Sequence, residues 1–133
     1  MKTWTTALAL LLAATGMARA DAGAIRSVID GQMDAFRADD FDTAFTFAAP
    51  NIRGLFGNAE NFGVMVRRGY PMVWQPGTVE YLGTTEGRGL WQQEVLITDG
   101  FDRLHKLRYS MVETADGWKI AGVQILEAPE VGV

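Results

Sequence analysis

The spacing of apolar residues changes character twice along this chain. Residues 7–14, Ala-Leu-Ala-Leu-Leu-Leu-Ala-Ala, form one short unbroken apolar run behind Lys2. From Ile25 the pattern becomes periodic. Ile25, Val28, Ile29, Gln32, Met33 and Phe36 recur at spacings of three and four, which predicts a helix with one apolar stripe. Arg26 and Asp30 stand four apart on its polar side, a predicted ion pair worth roughly a few tenths of a kcal/mol. Gly31 interrupts the helix at a cost of about 1 kcal/mol against alanine, which points to close packing. Asp39 or Asp40 caps a second helix with Phe41, Ala44, Phe45 and Ala48, ending before Pro50. Ile52, Leu55 and Phe56 fall in a short turn. Asn58 caps a third helix, Ala59 to Arg68, which buries Phe62, Met65 and Val66. Gly69 suits a left-handed position after it, with Pro71 just beyond.

The second half reads as strands. Val79 to Thr85, Leu90 to Thr98, Arg103 to Thr114 and Trp118 to Leu126 are separated by Gly87–Gly89, Asp99-Gly100 and Asp116-Gly117. Asp-Gly between such runs is a strong hairpin signal. A meander of four antiparallel strands follows, with a fifth short one near Met72-Val73. Alternation places Trp91, Gln93, Val95 and Ile97 on one face. Arg103, His105, Leu107, Tyr109 and Met111 share a face of the next strand, as do Trp118 and Ile120 on the last. Gly122 marks a bulge, after which Val123 and Ile125 turn inward. Helices followed by strands imply an α+β fold: three N-terminal helices packed on a curved antiparallel sheet of four to five strands.

The N-terminal run takes its meaning from its flanks. Lys2 precedes it, Gly16 breaks it, and Ala18-Arg19-Ala20 supplies the small-x-small pattern read by a signal peptidase. The run is far short of the ~20 residues that span a bilayer. Residues 1–20 therefore read as a secretory signal peptide cleaved between Ala20 and Asp21. Residues 21–126 form a single α+β domain, and 127–133 a C-terminal tail. The expected location is periplasmic or secreted, soluble after cleavage and with no membrane association. The chain has no cysteine, hence no lipidated cysteine and no disulfide. Its formal charge is −4; the leader takes Lys2 and Arg19 with it, leaving the mature domain at −6. That acidity argues against nucleic acid, whose phosphates call for Lys and Arg.

Five segments in order resemble a bacterial family known as domain of unknown function 4864. They are Ile25–Phe36 (IRSVIDGQMDAF), Asp40 to Phe56 (with AAPNIRGLF), Phe62–Pro71 (FGVMVRRGYP), Gln93–Val95, and Tyr109 to Val123 (with DGWKIAGV). Three helices ahead of a long curved sheet also resemble the nuclear transport factor 2-like superfamily, a cone-shaped α+β fold. The resemblance implies that fold and an exported bacterial protein, and brings no known reaction. Isomerases and dehydratases of the superfamily place an Asp or His acid–base pair inside the cone. Here His105 is available, but no aspartate lies on an inward strand face except Asp99 at a strand end.

Candidate chemistry is sparse. His105, the single histidine, suits acid–base work near neutral pH, or simply ends a strand half exposed. One histidine and no cysteine do not make a typical zinc site, so no metal or cofactor is expected. Asp39, Asp40 and Asp42 sit at a helix start, where capping explains them. Arg67 and Arg68 precede Tyr70 and Trp74; they either hold an anion at the cone rim or stabilise a helix C-terminus beside two core aromatics. Gln93, Tyr109 and Gln124 face inward, as ligand contacts or as partners of neighbouring backbone. Gly87-Arg88-Gly89 lies between strands and is not a phosphate loop. The leading expectation is a non-catalytic module binding a small apolar or anionic ligand through Arg67, Arg68, Tyr70, Trp74, Gln93, His105 and Tyr109. The alternatives are a homodimerising interaction domain using Leu82 and Leu96 on the outer sheet face, and a small isomerase- or hydrolase-like enzyme using His105.

Overall fold

Alternation along the three inner-facing strands decides which side of the sheet the helices cover. The computed structural model describes the backbone of residues 2–127 and the side chains of residues 20–127. Strands β1 (Thr78–Thr85), β2 (Trp91–Thr98), β3 (Leu104–Thr114) and β4 (Gly117–Leu126) pair as an antiparallel meander in chain order. Gln93 stands opposite Tyr109, Val95 opposite Leu107, and Met111 opposite Ile120. These six, with Ile97 and Trp118, are all buried. Helix α1 (Lys2–Arg37) lays Ile25, Ile29, Met33 and Phe36 into the same core. It runs without a break through Ala20 and Asp21. The side chains before Ala20, where the leader is expected, and the expected tail beyond Glu127 lie outside the described residues.

Four more helices complete the layer: α2 (Phe41–Thr46), α3 (Pro50–Phe56), α4 (Ala59–Gly69) and α5 (Pro71–Trp74). Phe62 of α4 is their hub. Its ring centroid lies 5.9 Å from Phe36, 5.3 Å from Phe45 and 5.9 Å from Phe56. The caps are Asp40, which accepts from Thr43 N at 3.2 Å, and Asn58, which accepts from Asn61 N at 2.8 Å. Gly31 allows α1 to meet Phe47: a Cβ there would lie 2.7 Å from its ring.

Several expectations need correction. Residues 50–56 are a helix rather than a turn, because Pro50 sits in the first helical turn, where a missing N–H costs nothing. Pro71 does the same for α5, so Met72-Val73 is helical and not a fifth strand. Gly69 ends α4 without a positive φ, and Tyr70 is the cap residue. Arg26 and Asp30 form no ion pair. Asp30 Oδ1 accepts from the Tyr81 hydroxyl at 2.5 Å, and the Arg26 guanidinium lies 5.6 Å from the centre of the Tyr81 ring. The turn at Asp99-Gly100 is a longer loop closed by Asp99, whose carboxylate accepts from Phe101 N and Arg103 N; the left-handed residue is Asp102, not Gly100. The β4 bulge falls at Ala121, since Ser110 pairs with Gly122 and Met111 with Ile120. Val123 then packs on the core, while Ile125 reaches the strand's exposed end.

That bulge is where the helical layer joins the sheet. Phe47–Ala49 runs beside the free edge of β4, with Ala48 bridged in parallel to Ile120. Ile120 N donates to Phe47 O at 2.9 Å, and Ala49 N donates to Ile120 O at 2.8 Å. Lys119 Nζ donates to Thr46 O at 2.9 Å, and Asn51 Nδ2 donates to Ala121 O at 2.9 Å. An open edge strand is thereby paired where it would otherwise present free N–H and C=O groups. Asn51→Ala should lower unfolding free energy by about 1 kcal/mol. It should also speed hydrogen exchange at the Ala49 and Ile120 amides more than at the β2–β3 amides; unchanged exchange there would show that Asn51 does not secure the junction.

Candidate functional site

Helices α1, α3 and α4 do not close fully on β4. Between them lies a cavity of about 380 Å³. Gln32 and Phe36 line it from α1, Ile52, Leu55 and Phe56 from α3, and Phe62, Met65 and Val66 from α4. Tyr70, Val73 and Ala48 complete the helical side; Ile120, Gly122 and Val123 form the sheet side. The bulge and the β4 edge pairing thus build one wall. Leu55, one of the lining residues, is 73% exposed, so the space opens to solvent beside α3. The volume falls at the lower end of the range for small-molecule pockets, which are mostly apolar with a few placed polar groups.

Two polar side chains reach this space. Gln32 is only 3% exposed, and its Nε2 donates to Ala44 O at 3.2 Å. That bond fixes the amide orientation and leaves Oε1 without a protein donor among the described residues. The Tyr70 hydroxyl donates to Val123 O at 3.2 Å. Among the described residues no carboxylate, imidazole, ammonium or guanidinium group lines the cavity.

Of the residues expected at a site, the structure brings only Tyr70 to this cavity. Arg67 turns away: its guanidinium lies 4.8 Å from the centre of the Phe41 ring, in a shallow outer groove with Asp39, Asp40, Asp42 and Glu60. Arg68 is exposed on the same side chain run and lines neither space. Trp74 donates from Nε1 to Asp39 Oδ1 at 2.8 Å, which ties α5 to the left-handed residue after α1. Gln124 pairs with Arg108 and faces outward rather than inward. His105 does lie on the inner face, opposite Ile97, but at the strand's end. Its Nε2 donates to Asp99 Oδ2 at 2.8 Å. That bond, with the Arg103 and Phe101 amides, holds the Asp99 carboxyl down at about 2, so it stays ionised and closes the hairpin.

Gln93 and Tyr109 face each other in the core, and their situations are opposite. Gln93 is fully used: Nε2 donates to Glu94 O at 2.8 Å, Leu82 O at 3.2 Å and Gly83 O at 3.3 Å, while Oε1 accepts from Thr84 Oγ1 at 2.5 Å. It satisfies the irregular stretch of β1 between Tyr81 and Thr84. The Tyr109 hydroxyl is sealed and has no partner, alone among the described residues; burial pushes its ionisation above the usual phenol range. The residues that do line the cavity, Gln32 above all, carried one sequence signal: a glutamine in the apolar stripe of α1.

These opposite situations predict opposite substitutions. Tyr109→Phe removes an orphaned hydroxyl and should leave stability unchanged or raise it by about 1 kcal/mol. Gln93→Leu strands several backbone carbonyls and should cost about 2 kcal/mol. Urea unfolding of the two variants checks both, and a large loss for Tyr109→Phe would mean that the hydroxyl has a partner.

Two solved structures are similar to this chain. The solution structure of RPA3114, a SEC-C motif containing protein from Rhodopseudomonas palustris, is 16% identical, with 71% of this chain and 72% of that chain covered at a TM-score of 0.51. The crystal structure of an NTF-2 like protein of unknown function from Burkholderia xenovorans LB400 is 20% identical, with 82% and 90% covered at a TM-score of 0.47. The first likeness is one of fold alone. No curated protein matches in sequence. Residues 18–133 match the family described as Domain of unknown function (DUF4864), and the chain belongs to that family.

Proposed function

We propose that this protein is an exported, non-catalytic module that binds a small ligand in the cavity between α1, α3, α4 and β4. The observation that carries this reading is the cavity: about 380 Å³ of mainly apolar space beside a buried amide that packing alone does not require. A core of this kind normally closes on itself to crystal-like density. Here the β4 bulge and the short helix α3 hold it open.

An enzyme reading draws little support from the same geometry. His105 is engaged with Asp99 on the β2–β3 hairpin and does not line the cavity. A homodimer through the outer sheet face draws little more. Leu82 lies in the irregular stretch of β1, and Leu96 stands beside Glu94, which is 3.2 Å from Arg108 Nη2 and 3.9 Å from Lys106 Nζ.

Export is supported by Lys2, the apolar run at 7–14 and Ala18-Arg19-Ala20. N-terminal sequencing of protein from the native host should read Asp-Ala-Gly-Ala-Ile; a retained leader would reject the assignment. Binding is tested with N-phenyl-1-naphthylamine, a neutral apolar fluorophore that brightens on leaving water. The wild-type domain should enhance its emission saturably. Met65→Trp fills the cavity from α4 and should weaken that binding at least tenfold while the urea midpoint stays within the range of a single core repacking. Equal binding by Met65→Trp would remove the cavity from consideration.

A further inference from the structure

The polar groups in the cavity restrict what its ligand can be, and this step rests on the binding reading above. Gln32 Nε2 spends one of its two hydrogens on Ala44 O, which fixes the amide with its acceptor Oε1 unpartnered among the described residues. Oε1 is neither hydrogen-bonded nor sealed off; among the described residues only the Tyr109 hydroxyl is both buried and partnerless. The Tyr70 proton is likewise committed, to Val123 O, which leaves lone pairs on its oxygen. Gly122 contributes backbone alone, and it is paired with Ser110 in the ladder. Among the described residues the cavity therefore offers two side-chain acceptors, and its free side-chain donors reduce to the second Nε2 hydrogen of Gln32.

Charge points the same way. Arg67 lies against Phe41, and the Arg53 guanidinium sits 5.3 Å from the centre of the Phe45 ring. Neither lines the cavity. A carboxylate or phosphate entering it would lose its water and meet no cation among the described residues, which is strongly unfavourable. A hydroxyl or amide N–H meets Oε1 of Gln32 directly. We infer that the ligand is a small neutral aliphatic molecule carrying a hydrogen-bond donor, with that donor on Gln32 Oε1 and its hydrocarbon against Phe36, Phe62, Met65 and Val66. The anionic ligand expected from Arg67 and Arg68 is set aside on these grounds.

The test is displacement of bound N-phenyl-1-naphthylamine by three probes of matched length: 1-octanol, 1-methoxyheptane and octanoate at neutral pH. Octanol should displace roughly three- to tenfold better than the ether, the ratio that one hydrogen bond provides. Octanoate should be weaker than octanol by more than tenfold. Gln32→Leu should bring octanol and ether to equal potency and leave the ether unchanged or improved. The wild-type series needs no variant, so an unstable Gln32→Leu leaves the inference open to refutation. Equal displacement by octanol and ether, or preference for octanoate, would overturn the inference while leaving cavity binding in place. Absence of any fluorophore binding would overturn both.

Discussion

The pairing of Phe47–Ala49 with β4 at Ile120 is the constraint on which the arrangement depends. Antiparallel meanders leave two open edges, and β4 is one of them. Here the edge is used three ways at once. Its N–H and C=O at Ile120 receive a parallel bridge. Its bulge carbonyl at Ala121 receives the Asn51 amide. Its carbonyl at Val123 receives the Tyr70 hydroxyl. These contacts come from the segment before α3, from the first turn of α3 and from the residue after α4, so both helices are hung from the same strand. The bulge at Ala121 shifts the strand's register and brings Gly122 and Val123 under them. The gap that remains is the cavity.

Much of the fold was legible because it follows from period. Alternation along residues 91–97, 105–111 and 118–120 picked the buried face, and the stripe from Ile25 to Phe36 picked the buried side of α1. Those signals are local and repeated. The short helices were harder. Pro50 and Pro71 read as stops, but proline serves a helix start as readily as it ends one, and the choice depends on what the flanking backbone can bond to. Ahead of Pro50, Ala49 is pinned to Ile120, far along the chain, and no local pattern announces that.

The site was harder still. Its lining comes from α1, α3, α4 and β4, and no one segment carries a recognisable set. Arg67, Arg68 and Trp74 are charged and aromatic groups near a helix end, yet the rotation of about 100° per residue in α4 carries the two arginines away from the face of Phe62, Met65 and Val66. Gln93 and Tyr109 were placed on the right face, but facing inward does not distinguish a cavity wall from a packed core. Gln93 is occupied by the β1 backbone at Leu82 and Gly83, and Tyr109 is surrounded by apolar neighbours. Gln32 was visible only as a polar member of an apolar stripe.

Helix α1 carries a further consequence. It passes through Ala20 and Asp21 as one continuous element, and its core stripe begins at Ile25. Signal-peptide removal at that bond would create a new amino terminus at the head of a helix. A free ammonium there opposes the positive end of the helix dipole. The residue that would become first is an aspartate, whose carboxylate sits beside that ammonium and offsets it. The same aspartate would then mark the border of the leader and help to hold the first turn of the helix on which the core is built.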